Sequence, residues 1–270
     1  MIKDLFSNQA NAYAKYRPGY PIELFEYIIS FVENKITAWD CATGNGQAAA
    51  VLSGYFKKII ATDISEAQLQ NAVQKDNISY QISPAEKTHF ADNSFDLITV
   101  ATAYHWFDHK PFYKEATRVG KNDCVVAVWA YTALISKDEN LNKLYQHFYQ
   151  KIIKPYWEPE RRYVDEEYET VPFDFKPLPS KTFYSTYQWT KDQFKGYIET
   201  WSAVQKYKKV NGESPLLQIA KELDQTWPDN EIKEVCFSIH LRMGRIEKPP
   251  SPKVEYQPES NNPPSGDGGK

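Results

Sequence analysis

Cysteine is scarce in this 270-residue chain, and its three copies, Cys41, Cys124 and Cys236, lie far apart with no C-x-x-C pair. That excludes a disulfide framework and a four-cysteine zinc site, and it fits reduced core thiols of a cytoplasmic protein. No run approaches eighteen apolar residues, and no apolar segment follows the start. The sequence therefore predicts neither a membrane span nor a secretory leader. An excess of one charge is also missing: Lys and Arg number 32 against 35 Asp and Glu. A formal net charge of -3 gives no broad basic face and argues against nucleic acid as a partner. His89, His109, His147 and His240 show no metal-ligand spacing, so no metal is expected. Internal repeats are absent.

Apolar residues are plentiful, at 41% of the chain with aromatics at 15%, enough for the core of one α/β domain. Short apolar runs predict strands at 36–40, 58–62, 78–82, 95–102 and 124–129, with helices at 22–32, after residue 46, after Ser65 and at 111–119. Near-continuous apolar strands separated by helices indicate a parallel sheet covered on both faces. Beyond Tyr131 the rhythm changes. A helix is predicted over 138–154, a long ordered loop over 155–179 and an alternating strand over 182–189. Thr190-Lys191-Asp192-Gln193 is a capping box opening a helix through Trp201 towards Lys206, and Ser214-Pro215 opens another through Leu223. An alternating segment, 234–246, closes the pattern as an antiparallel strand. From residue 248 apolar side chains nearly vanish, and 248–270 reads as a disordered tail.

Trp39-Asp40-Cys41-Ala42-Thr43-Gly44-Asn45-Gly46-Gln47 carries the chemistry. It reads as a strand end, a glycine turn and a helix start, where backbone can approach a ligand closely. Gly44-Asn45-Gly46-Gln47-Ala48-Ala49 also satisfies a dinucleotide-binding pattern, which keeps an NAD-dependent oxidoreductase open as an alternative. Asp40 weighs against it, because a carboxylate at the strand tip suits a cation and repels a pyrophosphate. S-adenosylmethionine, with a sulfonium and no phosphate, fits better. Asp63 ends the second strand near the spacing at which an acidic side chain accepts ribose hydroxyls.

These motifs resemble those of class I S-adenosylmethionine-dependent methyltransferases. Asp40-x-Ala42-x-Gly44-x-Gly46 is similar to the first motif, with Ala42 where a glycine is usual. Asp63 is similar to the second motif, and Ala85-Glu86 to the position that contacts adenine. Asp92-Asn93-Ser94-Phe95-Asp96, Tyr104-His105-Trp106-Phe107 and Tyr16-Arg17-Pro18-Gly19-Tyr20-Pro21 look like the methyltransferase type 11 subgroup. The segments 197–203 and 240–245 are similar to trans-aconitate methyltransferase-like proteins. The resemblance implies a Rossmann-like seven-stranded sheet, order 3-2-1-4-5-7-6 with strand seven antiparallel. It would fill one domain over 1–247, with an N-terminal lid (1–21) and a cap insertion (132–180).

It further implies S-adenosyl-L-methionine as cofactor, held by Tyr16, Arg17, Asp40, Ala42, Thr43, Gly44, Asn45, Gly46, Asp63, Ile64, Gln68, Ala85, Glu86 and Ala101. A small-molecule acceptor, carboxylate or hydroxyl, would sit against Tyr104, His105, Trp106 and Trp201. His105, at the carboxyl edge of a central strand, is the candidate general base. Arg17 is the candidate clamp for a carboxylate, with Arg242 and Arg245 structural. An RNA-directed or non-catalytic binding protein is the third reading. It rests on Lys206-Tyr207-Lys208-Lys209, which reads more simply as a solvated helix end. The chain is expected to be a monomer or weak homodimer.

Overall fold

A computed structural model describes residues 16–248; the lid aromatics Phe6 and Tyr13 and the tail after Lys248 lie outside the described residues. Seven strands form one sheet: β1 (Thr37–Cys41), β2 (Lys58–Asp63), β3 (Ile78–Ile82), β4 (Phe95–Ala101), β5 (Gly120–Ser136), β6 (Lys176–Trp189) and β7 (Lys233–Arg245). Their order is β3-β2-β1-β4-β5-β7-β6, as the resemblance implied. The first five run parallel, and β7 runs antiparallel between β5 and β6. The order reverses between β1 and β4, where an open α/β sheet leaves a crevice at its carboxyl edge.

Helices cover both faces. On one lie α1 (Ile22–Ile29), which buries Leu24, Phe25, Ile28 and Ile29, and α2 (Gln47–Leu52), whose Ala48 and Ala49 permit close packing. The short α3 (Glu66–Gln70) is capped by Ser65, whose hydroxyl accepts the Gln68 N–H. On the opposite face α4 (His109–Val119) packs Phe112, Ala116 and Val119 against Trp39 and Val126.

After β5 comes α5 (Glu139–His147), continued as a π-helical turn, Phe148–Ile153, then short 3-10 turns and α6 (Arg162–Asp165). β5 extends to Ser136 and β6 begins at Lys176, so this insertion runs over 137–175 rather than 132–180. β6 starts within the stretch expected to be loop, and it accommodates Pro177 and Pro179 because it is an edge strand.

Between β6 and β7 lie α7 (Lys191–Glu199), α8 (Ser202–Asn211) and α9 (Ala220–Thr226). α7 opens with the expected capping box, Thr190 and Gln193 bonding reciprocally. It stops at Glu199 rather than running towards Lys206. The Thr200 hydroxyl donates back to the Tyr197 carbonyl, while the Thr200 carbonyl turns to accept from Arg17. These helices join the first insertion: Trp201 meets Tyr145, Tyr149 and Trp157 edge-on or tilted at 5.5–5.9 Å.

Candidate active site

The turn after β1 is built from left-handed backbone. Ala42, Gly44 and Gly46 have φ of 54°, 57° and 80°. Ala42 stands where glycine would be unstrained, so its methyl makes the turn costlier by about 1–2 kcal/mol. A Cβ on Gly44 would meet nothing nearer than 3.9 Å, whereas one on Gly46 would collide with the Tyr80 phenol. The turn is pinned by Thr43 N–H to the Thr62 carbonyl (2.9 Å) and Gly46 N–H to the Thr43 carbonyl (3.0 Å). Beside it opens a cleft lined by Arg17, Pro18, Tyr20, Ala42, Thr43, Gly44, Asn45, Gln47, Ala48, Ala101 and Tyr131.

The two acidic residues take different positions. Asp40 points inward, fully buried, and does not line that cleft. Its carboxylate accepts from Thr43 Oγ1, Thr99 Oγ1 (2.8 Å) and the Ala49 N–H (3.1 Å), locking the turn to β4 and α2. Burial outweighs those hydrogen bonds and lifts its pKa to about 6. Asp63 is half-buried at the end of β2, and it accepts from the Gly44 N–H (2.8 Å) and the Ser65 N–H (2.9 Å). After burial, Asp40, Glu86 and Asp63 together push the Cys41 thiol up, so three carboxylates converge on this strand end. The strand end beside the cleft is thus acidic, and Arg17 lines the cleft itself.

A methyltransferase domain profile matches residues 39–128. A Dictyostelium discoideum protein named as a methyltransferase is 32% identical over 251 residues, covering 90% of this chain and 95% of its own. The chain belongs to the class I S-adenosylmethionine-dependent methyltransferases. A Saccharomyces cerevisiae protein named as an S-adenosylmethionine-dependent methyltransferase is 25% identical over 266 residues, 86% of this chain and 89% of its own. A solved Anaeromyxobacter dehalogenans structure, described as a type II methyltransferase, superposes with a TM-score of 0.78 at 33% identity, covering 86% of this chain and 99% of that one.

The remaining residues expected to hold the cofactor differ in exposure and partners. Ile64 is 38% exposed beside Asp63, while Gln68 and Ala85 are buried. Glu86 accepts the Asp108 N–H at 3.1 Å. Arg17 donates to the Tyr131 hydroxyl and, at 3.0 Å, to the Thr200 carbonyl; its guanidinium lies 5.6 Å from the Tyr197 ring centre. Tyr20 and Thr102 share a hydroxyl hydrogen bond of 3.1 Å over the end of β4.

Of the four expected acceptor residues, Tyr104, His105 and Trp106 share one 3-10 turn, and Trp201 alone comes from another segment. Tyr104 belongs to the core of the α4 face, its hydroxyl donating to the Pro172 carbonyl at 2.7 Å. Trp201 belongs to the cap on the other face. His105 is buried, sharing a 2.9 Å hydrogen bond through Nδ1 with the Tyr168 hydroxyl and lying tilted against Trp106 with ring centres 4.6 Å apart. Burial first, then Arg161 and His109, hold its pKa well below the usual histidine range, so it stays neutral. Lys206 and Lys208, the proposed basic patch, pair instead with Glu158 and Glu199. No group of three or more His, Cys, Asp or Glu suited to a metal occurs among the described residues.

One residue with site-like surroundings escaped the sequence reading. Arg161 sits in the stretch expected to be loop, its side chain only 16% exposed, with Nε bonded to the Tyr149 hydroxyl (3.0 Å) and Asp165 (3.2 Å). No motif marks it; its aromatic neighbours come from distant segments.

Proposed function

We propose that this chain transfers the methyl group of S-adenosylmethionine to a small-molecule acceptor bearing a carboxylate or hydroxyl. The observation that carries this reading is the left-handed Ala42–Gly46 turn opening on a cleft at the sheet's switch point, with Asp40, Asp63 and Glu86 gathered beside it. The surroundings fit such a ligand. Gly44 leaves open space and the acidic groups favour a sulfonium, while the cation lining the cleft, Arg17, is engaged by Tyr131 and Thr200.

In this reading Gly44 and Gly46 bring backbone against the methionine part, and Asp63 exchanges its amide partners for ribose hydroxyls. Ile64 covers one adenine face, with Ala85 and Glu86 at its edge. Arg17, Tyr20 and Tyr131 close the cleft over the methionine end. Asp40 acts through its field and by holding the turn, not by contact. When bound, the cofactor supplies an already activated methyl, so the chain contributes alignment and exclusion of water. His105 is neutral and its Nδ1 is engaged by Tyr168, which leaves Nε2 as the atom to orient an acceptor hydroxyl or receive its proton.

Titration calorimetry with S-adenosylmethionine, S-adenosylhomocysteine and NAD tests the reading. Binding of both sulfur compounds and not NAD is expected. NAD binding with neither sulfur compound overturns it in favour of the oxidoreductase. A radiolabelled methyl assay over organic acids, phenols and RNA then assigns the acceptor, and incorporation into RNA alone replaces the small-molecule part.

A further inference from the structure

Burying a guanidinium without partners for its N–H groups is expensive, so folds rarely do it without purpose. Arg161 approaches this position: its side chain is only 16% exposed, with its terminal nitrogens not fully shut off from solvent. Its Nε serves Tyr149 and Asp165, but neither terminal nitrogen has a hydrogen-bond partner among the described residues. Its central carbon lies over the Trp157 ring, 4.7 Å from the ring centre. Trp157 Nε1 is also buried and unpartnered. The walls are aromatic: Trp157 packs on Trp201 at 5.5 Å, and Trp201 on Tyr197 at 5.5 Å. An apolar box therefore carries one cationic fork and one indole N–H.

Two paths connect this box to the proposed methyl-donor cleft. Through the cap, Tyr197 stacks under Arg17, which lines the cleft and bonds Tyr131 on its far wall. Through the sheet, Ala101 lines the cleft at the end of β4, and His105, a few residues on, feels the charge of Arg161. The Tyr104–Trp106 turn that carries His105 packs against the Pro159–Arg161 turn that carries Arg161. Arg17, the candidate clamp from sequence, has its guanidinium engaged by Tyr131 and Thr200 instead.

We infer that Arg161 is the acceptor-binding residue of this enzyme, and that the acceptor is a small organic acid whose carboxylate takes the two free guanidinium nitrogens while its apolar body lies against Trp157 and Trp201. A carboxylate matches the geometry better than a phosphate. Its two oxygens fit one planar fork bidentately, and Asp165 already supplies the guanidinium with one negative neighbour, which disfavours a dianion. This inference rests on the methyltransferase reading only in placing the box beside the donor; the acid-binding claim itself does not need the donor.

The test titrates benzoate, cinnamate and decanoate, their primary amides, and phenyl phosphate into the wild-type chain with and without S-adenosylhomocysteine, following tryptophan fluorescence. Arg161→Gln and Arg161→Lys are compared, with thermal unfolding and S-adenosylhomocysteine affinity as controls. At least one acid is expected to bind about tenfold more tightly than its amide. Gln should remove that preference, and Lys, which keeps the charge but loses the fork, should retain part of it. S-adenosylhomocysteine affinity should stay within about twofold in both variants. The inference is overturned if no acid binds, if amides or phenyl phosphate bind as well as the acids, or if folded Arg161→Gln keeps the acid preference. Failure of the sulfur compounds to bind, with acid preference intact, sinks the methyltransferase reading alone.

Discussion

Asp40 and His105 are both buried ionisable groups, and they pull the stability of the fold in opposite directions. Asp40 titrates at about 6 in the folded chain against an ordinary 3.8, so its ionised form is a handicap of about 3 kcal/mol at neutral pH. That handicap is relieved as pH falls from above 6 towards 4. His105 has the reverse sign: its folded pKa is depressed, the unfolded chain takes up a proton first, and stability is lost as pH falls below about 6.5. Asp40→Asn keeps the shape and removes only the first effect, since the Thr99 hydroxyl can rotate to accept from the new amide. Its unfolding free energy should therefore decline more steeply than wild type between pH 7 and 5, read by urea denaturation. Asp40 also tests its proposed field. The ratio of S-adenosylmethionine to S-adenosylhomocysteine affinity isolates the sulfonium, because the two ligands share everything else that is charged. That ratio should fall in the wild type as pH drops through about 6 and be flat in Asp40→Asn; equal profiles would assign Asp40 to the turn alone. The acidic strand tip was legible from sequence, but its direction was not. Thr99, which turns it inward, is 59 residues away and belongs to another strand.

The glycine turn is an element whose strain can be adjusted in both directions. Ala42→Gly relieves left-handed backbone costing about 1–2 kcal/mol while adding about 0.5–1 kcal/mol of chain entropy, so a small gain in stability is expected. Gly46→Ala puts a methyl into the Tyr80 phenol at φ 80° and should cost about 1–3 kcal/mol, with S-adenosylhomocysteine affinity falling alongside. Chemical denaturation of both variants checks the opposite signs. A second strained element is the loop after α6, where Glu167 and Tyr168 are both left-handed without being glycine. Arg242 holds it, donating to the carbonyls of Tyr168 (2.7 Å) and Val171 (2.8 Å), and this presents the Tyr168 hydroxyl to His105. Arg242→Met should leave the sheet intact and raise amide exchange selectively over 166–172. Local periodicity made the parallel strands readable, as Ser65 did the start of α3, because these signals lie within a few residues. It failed at Thr200, where the apolar spacing continues through Trp201 but a guanidinium 183 positions earlier takes the carbonyl and breaks the helix. It failed likewise at Arg161, whose aromatic walls are assembled from three separate segments.

At the scale of the molecule, the carboxyl edge of the sheet is where segments distant in sequence have to agree. Arg17 does much of that joining: one guanidinium reaches Tyr131 on β5 and Thr200 at the α7–α8 break, and stacks on Tyr197. Residues on this edge also meet the proposed donor, so binding there and folding should be coupled. A ligand present at a hundred times its dissociation constant stabilises the folded state by about 2.7 kcal/mol, which for a chain of this length is a rise in Tm of roughly 5–11 °C. S-adenosylhomocysteine should produce a shift of that size in the wild type. Arg17→Met leaves the Tyr131 hydroxyl and Thr200 carbonyl without their cation, and hydrogen bonds to charged groups contribute about 1.5–3 kcal/mol each. The unliganded Tm should fall by several degrees, and the shift produced by the same ligand concentration should shrink, because closing the cleft now also requires ordering the freed ends. Asp63→Asn is the contrasting case. Its one oxygen can keep the Gly44 N–H while its NH2 turns against the Ser65 N–H, so its unliganded Tm should drop modestly, less than in Arg17→Met, while the ligand-induced shift falls with the loss of a charged acceptor for ribose. A lowered unliganded Tm with an undiminished shift in Arg17→Met would mean that the residue joins the edge without closing it over a ligand.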